Sequence, residues 1–257
     1  MTSQPASVAG KNSAWLMPIA LKPSSTSRLI CFPYAGAGAS IFRSWASLLP
    51  AHIEAFSIQS PGRETRFVEP LLTDFQSYVA QASNAIRPLC DKPITLFGHS
   101  LGAAVAYESA RYLEQQGVTV QLLIVSGRAC PGTASRRPPI SHLSDADFLR
   151  HMASYNGTPK AVLENQDLIE LLLPMIRSDF ALAEHYRPTP GPLLRCPLLA
   201  LGSRQDEWLD PAGVDNRKAL TGGSFQTQWF EGDHIYLNRY TAELVSYIAQ
   251  QVSDRSV

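Results

Sequence analysis

Short apolar runs rich in β-branched and aromatic residues alternate along the chain with longer stretches whose apolar residues recur at helical spacing. The short runs predict strands at Arg28–Phe32, Ile53–Gln59, Pro93–Phe97, Leu122–Gly127, Pro197–Gly202 and Phe225–Phe230. The longer stretches predict helices at Ile41–Leu49, Asp74–Leu89, Leu101–Gln116 and Thr241–Gln251. Strands that alternate with helices favour an α/β fold with a mainly parallel sheet covered by helices on both faces.

This alternation stops between residues 129 and 186, where the pattern is helical and contains no strand. Helices are predicted from Asp145 to about Ser154 and from Asp167 to Tyr186, the second one kinked at Pro174. We therefore expect a tail and lead-in at 1–27, a core at 28–128 and 187–257, and a helical lid insertion at 129–186. Apolar residues crowd more than one face of the second helix, so Leu172, Met175 and Ile176 line a ligand channel or simply pack in a core.

Composition excludes several classes of function. The 257 residues contain 22 basic and 22 acidic side chains, so no excess charge favours binding to nucleic acid or to an anionic membrane. The four cysteines have no paired spacing, which favours reduced thiols and a cytoplasmic location. The apolar stretch at 14–21 is short and interrupted by Pro18, so we expect neither a secretory signal nor a membrane span.

The stretch Gly98-His99-Ser100-Leu101-Gly102 lies between a predicted buried strand and a predicted helix. It matches G-x-S-x-G, the nucleophile elbow, in which glycines allow a serine to occupy a strained strand-to-helix turn. The alternative is a glycine-rich turn with an idle serine. His99 should point away from the nucleophile and is interpreted as a packing residue.

A serine nucleophile needs a base and a carboxylate, and α/β folds place such groups just after strands, in the chain order Ser, Asp/Glu, His. His234 is the histidine that follows a late strand, and Asp206 comes directly after the strand before it. Asp210, Asp215 and Asp233 are weaker candidates for the acid. The backbone N–H groups of Leu101 and Ala35 are the expected oxyanion donors, and Tyr34 in the same small-residue loop is a candidate substrate contact.

Several further motifs occur in order with the elbow. They are Phe32-Pro33-Tyr34-Ala35-Gly36, Phe42-x-x-Trp45, Gln59-Ser60-Pro61-Gly62-Arg63, Gly157-Thr158-Pro159, Leu173-Pro174-Met175-Ile176-Arg177-Ser178-Asp179-Phe180 and Gly232-Asp233-His234. Together they closely resemble the type II thioesterases that accompany polyketide synthases and nonribosomal peptide synthetases. The family commonly has Gly-Gly-His-Phe-Phe where this chain has Gly232-Asp233-His234-Ile235-Tyr236, so an extra carboxylate stands beside the expected base.

The resemblance implies an α/β-hydrolase fold with a helical lid, and hydrolysis of acyl groups from the phosphopantetheine thiol of acyl or peptidyl carrier proteins. It matches Ser100, Asp206 and His234 to the family triad, and Ala35 and Leu101 to the oxyanion hole. It implies no metal and no cofactor apart from the phosphopantetheine on the substrate, and we expect a monomer.

Two other functions stay open on the sequence alone. The same triad serves carboxylester hydrolases acting on small soluble esters, and a chain with a vestigial triad would only bind carrier protein. Arg128, Arg136 and Arg137 at the start of the insertion either meet an acidic carrier protein or belong to a solvated loop.

Overall fold

The computed structural model describes residues 14–133, 136–153 and 164–255. Within these ranges a seven-stranded sheet forms the centre of the molecule, with the strand order β1-β3-β2-β4-β5-β6-β7. Its strands are β1 (Leu16–Ala20), β2 (Ser27–Phe32), β3 (Ile53–Ile58), β4 (Ile94–His99), β5 (Val120–Ser126), β6 (Leu198–Ser203) and β7 (Phe225–Phe230). All neighbouring strands are parallel except β1 and β3, which confirms the predicted mainly parallel sheet.

The edge strand β1 was not predicted. Leu16 pairs with Ile58 and Pro18 with Phe56, antiparallel, and the register shifts between Pro18 and Ala20. Pro18 made this stretch look interrupted, but an edge strand has one side without ladder partners, so a proline there removes no ladder hydrogen bond. The lead-in at 1–27 therefore contributes a strand to the sheet.

Helices cover both faces of the sheet, as predicted. The helices α1 (Phe75–Ile86) and α2 (Leu101–Gln115) bury their apolar residues in a cluster on one face. On the other face a 3-10 helix (Ala39–Ser47) and the closing helix α7 (Thr241–Ser253) pack in a second cluster. The first of these elements was expected to be an α-helix, and Phe42 and Trp45 are buried in it all the same.

The segment between β5 and β6 contains α3 (Asp145–Ala153) and α4 (Gln166–His185), with Pro174 inside α4. A third apolar cluster joins these two helices; its buried members are Ile140, Phe148, Met152, Ile169, Leu173, Met175 and Ile176. The end of the predicted first helix at Ser154 and the motif Gly157-Thr158-Pro159 lie outside the described residues. The shorter elements α5 (Pro211–Asp215) and α6 (Tyr236–Arg239) follow β6 and β7, and short 3-10 helices occur at Glu64–Arg66, Arg87–Leu89 and Asn216–Leu220.

The strand order creates a crevice at one end of the sheet. From β2 the chain continues to β3 on one side, whereas β4 lies on the other side of β2 and continues to β5. The loops that follow β2 and β4 therefore leave in opposite directions, and such a switch point is where open α/β sheets bind ligands. Over the described ranges, no helix combines the length and the apolar character that a membrane crossing requires.

Candidate active site

Ser100 occupies the sharp turn between β4 and α2. Its backbone has φ 54° and ψ −112°, a conformation that L-residues rarely adopt, and its N–H donates to Ser126 O at 2.9 Å. The flanking glycines are required by close backbone contacts. A Cβ on Gly98 would lie 2.1 Å from Gly102 O, and a Cβ on Gly102 would lie 2.1 Å from Phe32 O. The second contact brings the start of α2 against the end of β2, so the two loops expected to form the oxyanion hole meet.

The structure brings Ser100, His234 and Asp206 together in one hydrogen-bonded chain. Nε2 of His234 lies 3.1 Å from Oγ of Ser100, and Nδ1 of His234 lies 2.6 Å from Oδ2 of Asp206. The Asp206 side chain is 1% exposed and the His234 side chain 13% exposed. The carboxylate is therefore almost completely shielded from solvent, whereas the imidazole is partly exposed.

Asp206 is held in its ionised form. Burial alone would raise its pKa, but the hydrogen bond and charge interaction with His234, together with the Trp208 N–H at 3.1 Å, bring the pKa below its usual value. The other acidic candidates have different roles. Asp233 is exposed and its Oδ1 accepts the Ile235 N–H at 2.9 Å, and Asp210 pairs with Arg136 at 2.9 Å.

His99 is a fully buried packing residue beside the base, as the sequence predicts. Its Nδ1 lies 2.8 Å from Ser126 Oγ, which in turn lies 2.6 Å from the Tyr236 hydroxyl. The rings of His99 and His234 have their centroids 5.1 Å apart. Desolvation, reinforced by the nearby charge of His234, lowers the pKa of His99 to about 3, so this ring is neutral at physiological pH.

The backbone N–H groups of Ala35 and Leu101 are the predicted oxyanion donors. Within the described ranges neither donates to another group of the protein, and Leu101 is the first residue of α2, whose N–H has no partner inside the helix. Ala35 lies in a turn closed by the hydrogen bond from Ala37 N to Tyr34 O at 3.0 Å. Both N–H groups are therefore available to a substrate oxygen, as the predicted oxyanion hole requires.

A cavity of about 590 Å³ opens over Ser100 and His234. Tyr34, Ala35 and Ile176 are among its lining side chains. Leu172 and Met175, which were predicted together with Ile176, are not among them: Met175 is buried in the third apolar cluster and Leu172 packs against that cluster. The α4 helix thus contributes both to the cavity wall and to the packing of the insertion.

Three arginines of the loop after β5 also line the cavity, and they are the predicted carrier contacts Arg128, Arg136 and Arg137. Arg128 donates to Ala183 O at 2.9 Å and lies over the Tyr186 ring, and it forms no ion pair with any described carboxylate. Burial lowers its pKa. Arg136 is half exposed and Arg137 stacks over Trp208 at 4.7 Å. All three candidate docking residues therefore lie at the cavity wall rather than in an isolated loop.

Comparisons with known proteins agree with this arrangement. A family model described as a thioesterase domain matches residues 27–252. Thioesterase PikA5 of Streptomyces venezuelae is 35% identical over 254 residues, which is 98% of this chain and 89% of PikA5. The solved structure of the type II thioesterase BorB from the borrelidin biosynthetic cluster superimposes with a TM-score of 0.85 at 32% identity, over 93% of this chain and 97% of BorB.

A relative from Brevibacillus parabrevis, named linear gramicidin dehydrogenase LgrE, is 36% identical over 240 residues, which is 92% of this chain and 91% of LgrE. The activity in that name describes that protein. The dinucleotide-binding fingerprint G-x-G-x-x-G/A has a small residue at its third fixed position. The loop after β2 in this chain reads Gly36-Ala37-Gly38-Ala39-Ser40-Ile41 and has isoleucine there. The solved relatives confirm the α/β-hydrolase fold, and the family match extends over most of the chain. The chain therefore belongs to the thioesterase family.

Proposed function

We propose that this protein is a stand-alone type II thioesterase that removes acyl groups from the phosphopantetheine thiol of acyl or peptidyl carrier proteins. The observation that carries the proposal is the hydrogen-bonded chain Ser100–His234–Asp206 at the floor of a 590 Å³ cavity. It occurs in a chain that matches, over most of its length, a thioesterase of Streptomyces venezuelae and the type II thioesterase of the borrelidin biosynthetic cluster. Clearing misprimed or stalled acyl chains is the role that a separate hydrolase beside a synthase would have.

In the acylation step, His234 Nε2 accepts the proton of Ser100 as Oγ attacks the thioester carbonyl. The negative charge that develops on the carbonyl oxygen is stabilised by the N–H groups of Ala35 and Leu101. Asp206 holds the imidazole in the tautomer that carries its proton on Nδ1 and stabilises the imidazolium. The C–S bond then breaks, and His234 returns the proton to the departing phosphopantetheine thiolate.

In the deacylation step, the same groups act on water. His234 takes a proton from a water molecule, whose oxygen attacks the Ser100 ester, and the second oxyanion uses the same two N–H donors. The C–O bond to Ser100 breaks, the proton returns to Oγ, and the free acid leaves. Thioester and water give acid and thiol, so the proposed reaction needs no metal and no cofactor beyond the arm on the substrate.

The environment of the site supports a carrier-bound substrate. The insertion helix α4 contributes Ile176 to the wall over Ser100, and this apolar contact suits an acyl chain. The half-exposed Arg136 at the same wall is a candidate contact for an acidic carrier protein. We propose that the insertion at 129–186 is a lid, that the enzyme acts as a monomer, and that it works in the cytoplasm, where its four free cysteines stay reduced.

Incubation with a panel of acyl-loaded carrier proteins, followed by mass spectrometry of the carriers, tests the proposal. A thioesterase of this kind should release acyl groups from carriers with a kcat/KM far above that for a nitrophenyl ester of the same acid. A carboxylester hydrolase would show the reverse preference, and a vestigial carrier-binding module would bind carriers without turnover. Either of these results would overturn the proposal.

A further inference from the structure

A buried ion pair joins the insertion to the turn that contains Ala35. Asp179, in α4, is 2% exposed, and Arg63, which follows β3 in the chain, is 7% exposed. The guanidinium binds the carboxylate with both terminal nitrogens, Nη1 to Oδ2 at 2.6 Å and Nη2 to Oδ1 at 2.8 Å. Asp179 Oδ2 also accepts the N–H of Gly36 at 2.8 Å.

The Arg63–Asp179 pair forms hydrogen bonds to two residues of the turn at 34–37. Gly36 has φ +79°, the conformation of the third position of a type II turn, and the Ala37 N–H closes the turn on Tyr34 O at 3.0 Å. Arg63 Nη1 donates to Ala37 O at 2.9 Å. The peptide that carries the Ala35 N–H therefore has its carbonyl bound by Ala37, and the N–H of the next peptide is bound by Asp179.

The helix α4 also packs on the turn directly. A Cβ added to Gly36 would lie 3.3 Å from Cγ1 of Ile176, so that side chain rests against the Gly36 backbone. Ile176 and Asp179 are three residues apart and share a helix face, which places the apolar contact and the carboxylate on the same turn. The insertion thus contacts Gly36, the residue after the expected oxyanion donor, and also contributes Ile176 to the cavity wall.

The charges of the pair matter because an oxyanion must form beside them. A lone carboxylate bound to Gly36 would oppose negative charge developing at the neighbouring Ala35 N–H, and the low local dielectric would strengthen the repulsion. Arg63 cancels that charge. Burial alone would lower the pKa of Arg63, but the charge and hydrogen bonds of Asp179 raise it above its usual value, so the guanidinium stays charged.

We infer that Asp179 and Arg63 are positioning residues, which hold the Ala35 N–H in place for the oxyanion and act together as a neutral unit. The inference rests on the proposed role of Ala35 in thioester hydrolysis. It assigns to the insertion a part in building the oxyanion hole, through a carboxylate that lies 143 residues after Gly36 in the chain.

The test compares the variants Arg63→Gln and Asp179→Asn with the double variant. For each, kcat and KM are measured on an acyl-N-acetylcysteamine thioester, and kcat is calculated from the concentration of folded protein. Arg63→Gln leaves a buried carboxylate uncompensated, and kcat should fall by about 100-fold with KM changed less than threefold, since loss of one oxyanion donor costs about 10²–10³. Asp179→Asn keeps an oxygen that can accept the Gly36 N–H and should lose less. The double variant should recover at least tenfold over Arg63→Gln.

Further variants keep the inference falsifiable if Arg63→Gln folds poorly. Arg63→Lys retains the charge and should keep kcat within tenfold of wild type. Arg28→Gln removes a comparable buried pair, with Glu54 at 2.8 Å, at the other end of the strands from Ser100, and should lower the melting temperature without lowering kcat. Equal losses of kcat in Arg63→Lys and Arg63→Gln would overturn the inference, and so would strictly multiplicative effects in the double variant. It would also be overturned if Arg63→Gln and Asp179→Asn lowered the melting temperature and left kcat unchanged.

A second measurement separates this inference from the proposed function. The rate constant for covalent labelling of Ser100 by a fluorophosphonate depends on oxyanion stabilisation but not on a thioester substrate. It should follow the same order of variants as kcat. A wild-type protein that labels normally yet hydrolyses no thioester would refute the proposed function alone, whereas labelling rates unaffected by Arg63→Gln would refute the positioning role alone.

Discussion

Oγ of Ser100 lies 3.1 Å from Nε2 of His234, within reach for direct proton transfer at the start of acylation. Replacing Ser100 with Ala should lower the rate of thioester hydrolysis by several powers of ten and leave the fold intact, because the turn tolerates a smaller side chain. Steady-state kinetics and circular dichroism measure the two effects. Ser44→Ala, at an exposed serine, serves as the control, and labelling by a serine-directed phosphonate should be lost only in Ser100→Ala.

The identity of the acid can be tested with a matched pair of substitutions. Asp206→Asn should cut kcat severely because an amide cannot stabilise the imidazolium and favours the wrong tautomer of His234. Asp233→Asn should keep most of the activity, since its exposed carboxylate accepts the Ile235 N–H and Asn retains such an oxygen. Measuring kcat for both variants on one thioester substrate shows which carboxylate is the acid. An inactive Asp233→Asn beside an active Asp206→Asn would mean that the acid is assigned wrongly.

Burial of His99 should make the free energy of unfolding depend on pH in the acidic range. Desolvation and the charge of His234 lower its folded-state pKa to about 3, whereas the unfolded chain binds the proton near pH 6.5. The unfolded state therefore holds more protons between these values, and the free energy of unfolding should fall as the pH drops from about 6.5 towards 3. Urea unfolding of the wild type and of His99→Asn at several pH values measures this. The variant, which keeps a polar atom near Ser126, should show a shallower slope, and equal slopes would contradict the prediction.

A docking role for Arg136 predicts an effect confined to the protein substrate. Arg136→Glu should lower turnover of an acyl-carrier protein and make it less sensitive to salt, because a favourable charge contact is lost. Hydrolysis of the acyl-N-acetylcysteamine thioester should stay unchanged, since that substrate lacks the carrier. Arg43→Glu makes the same charge change on the 3-10 helix of the other face and should affect neither substrate. If both substrates or neither respond to Arg136→Glu, the docking role is wrong.

The sequence predicted the parts of the site that local rules govern. The glycines around Ser100 and the strand ends before Asp206 and His234 are local signals, because the turn and the sheet dictate which residue types stand there. The chain order of these groups then places them at the same edge of a parallel sheet. The comparisons confirm the family and the fold, whereas the catalytic roles of these residues stay predictions.

Features that depend on long-range pairing could not be predicted in the same way. The partners Arg63 and Asp179 are 116 residues apart, and nothing in either local pattern names the other. The edge strand Leu16–Ala20 was missed because Pro18 is normally a sign against a strand, and only its place at the sheet edge makes the proline harmless. Met175 was expected at the cavity with Ile176, but consecutive helix positions point about 100° apart, and the orientation of α4 turns Met175 into the apolar cluster.

The positive φ of Ser100 means that the nucleophile lowers the conformational stability of its own fold. Holding a residue with a side chain at φ 54° costs about 1–3 kcal/mol, and no substitution that keeps a Cβ removes that cost. Ser100→Gly should therefore unfold at a temperature at least as high as Ser100→Ala, although glycine also gains about 0.5–1 kcal/mol of unfolded-state entropy. A thermal melt of the two inactive variants would measure the difference, and a markedly less stable glycine variant would show that the turn is not strained. The same fold with glycine at position 100 would therefore resist heat at least as well as the alanine variant while having no nucleophile.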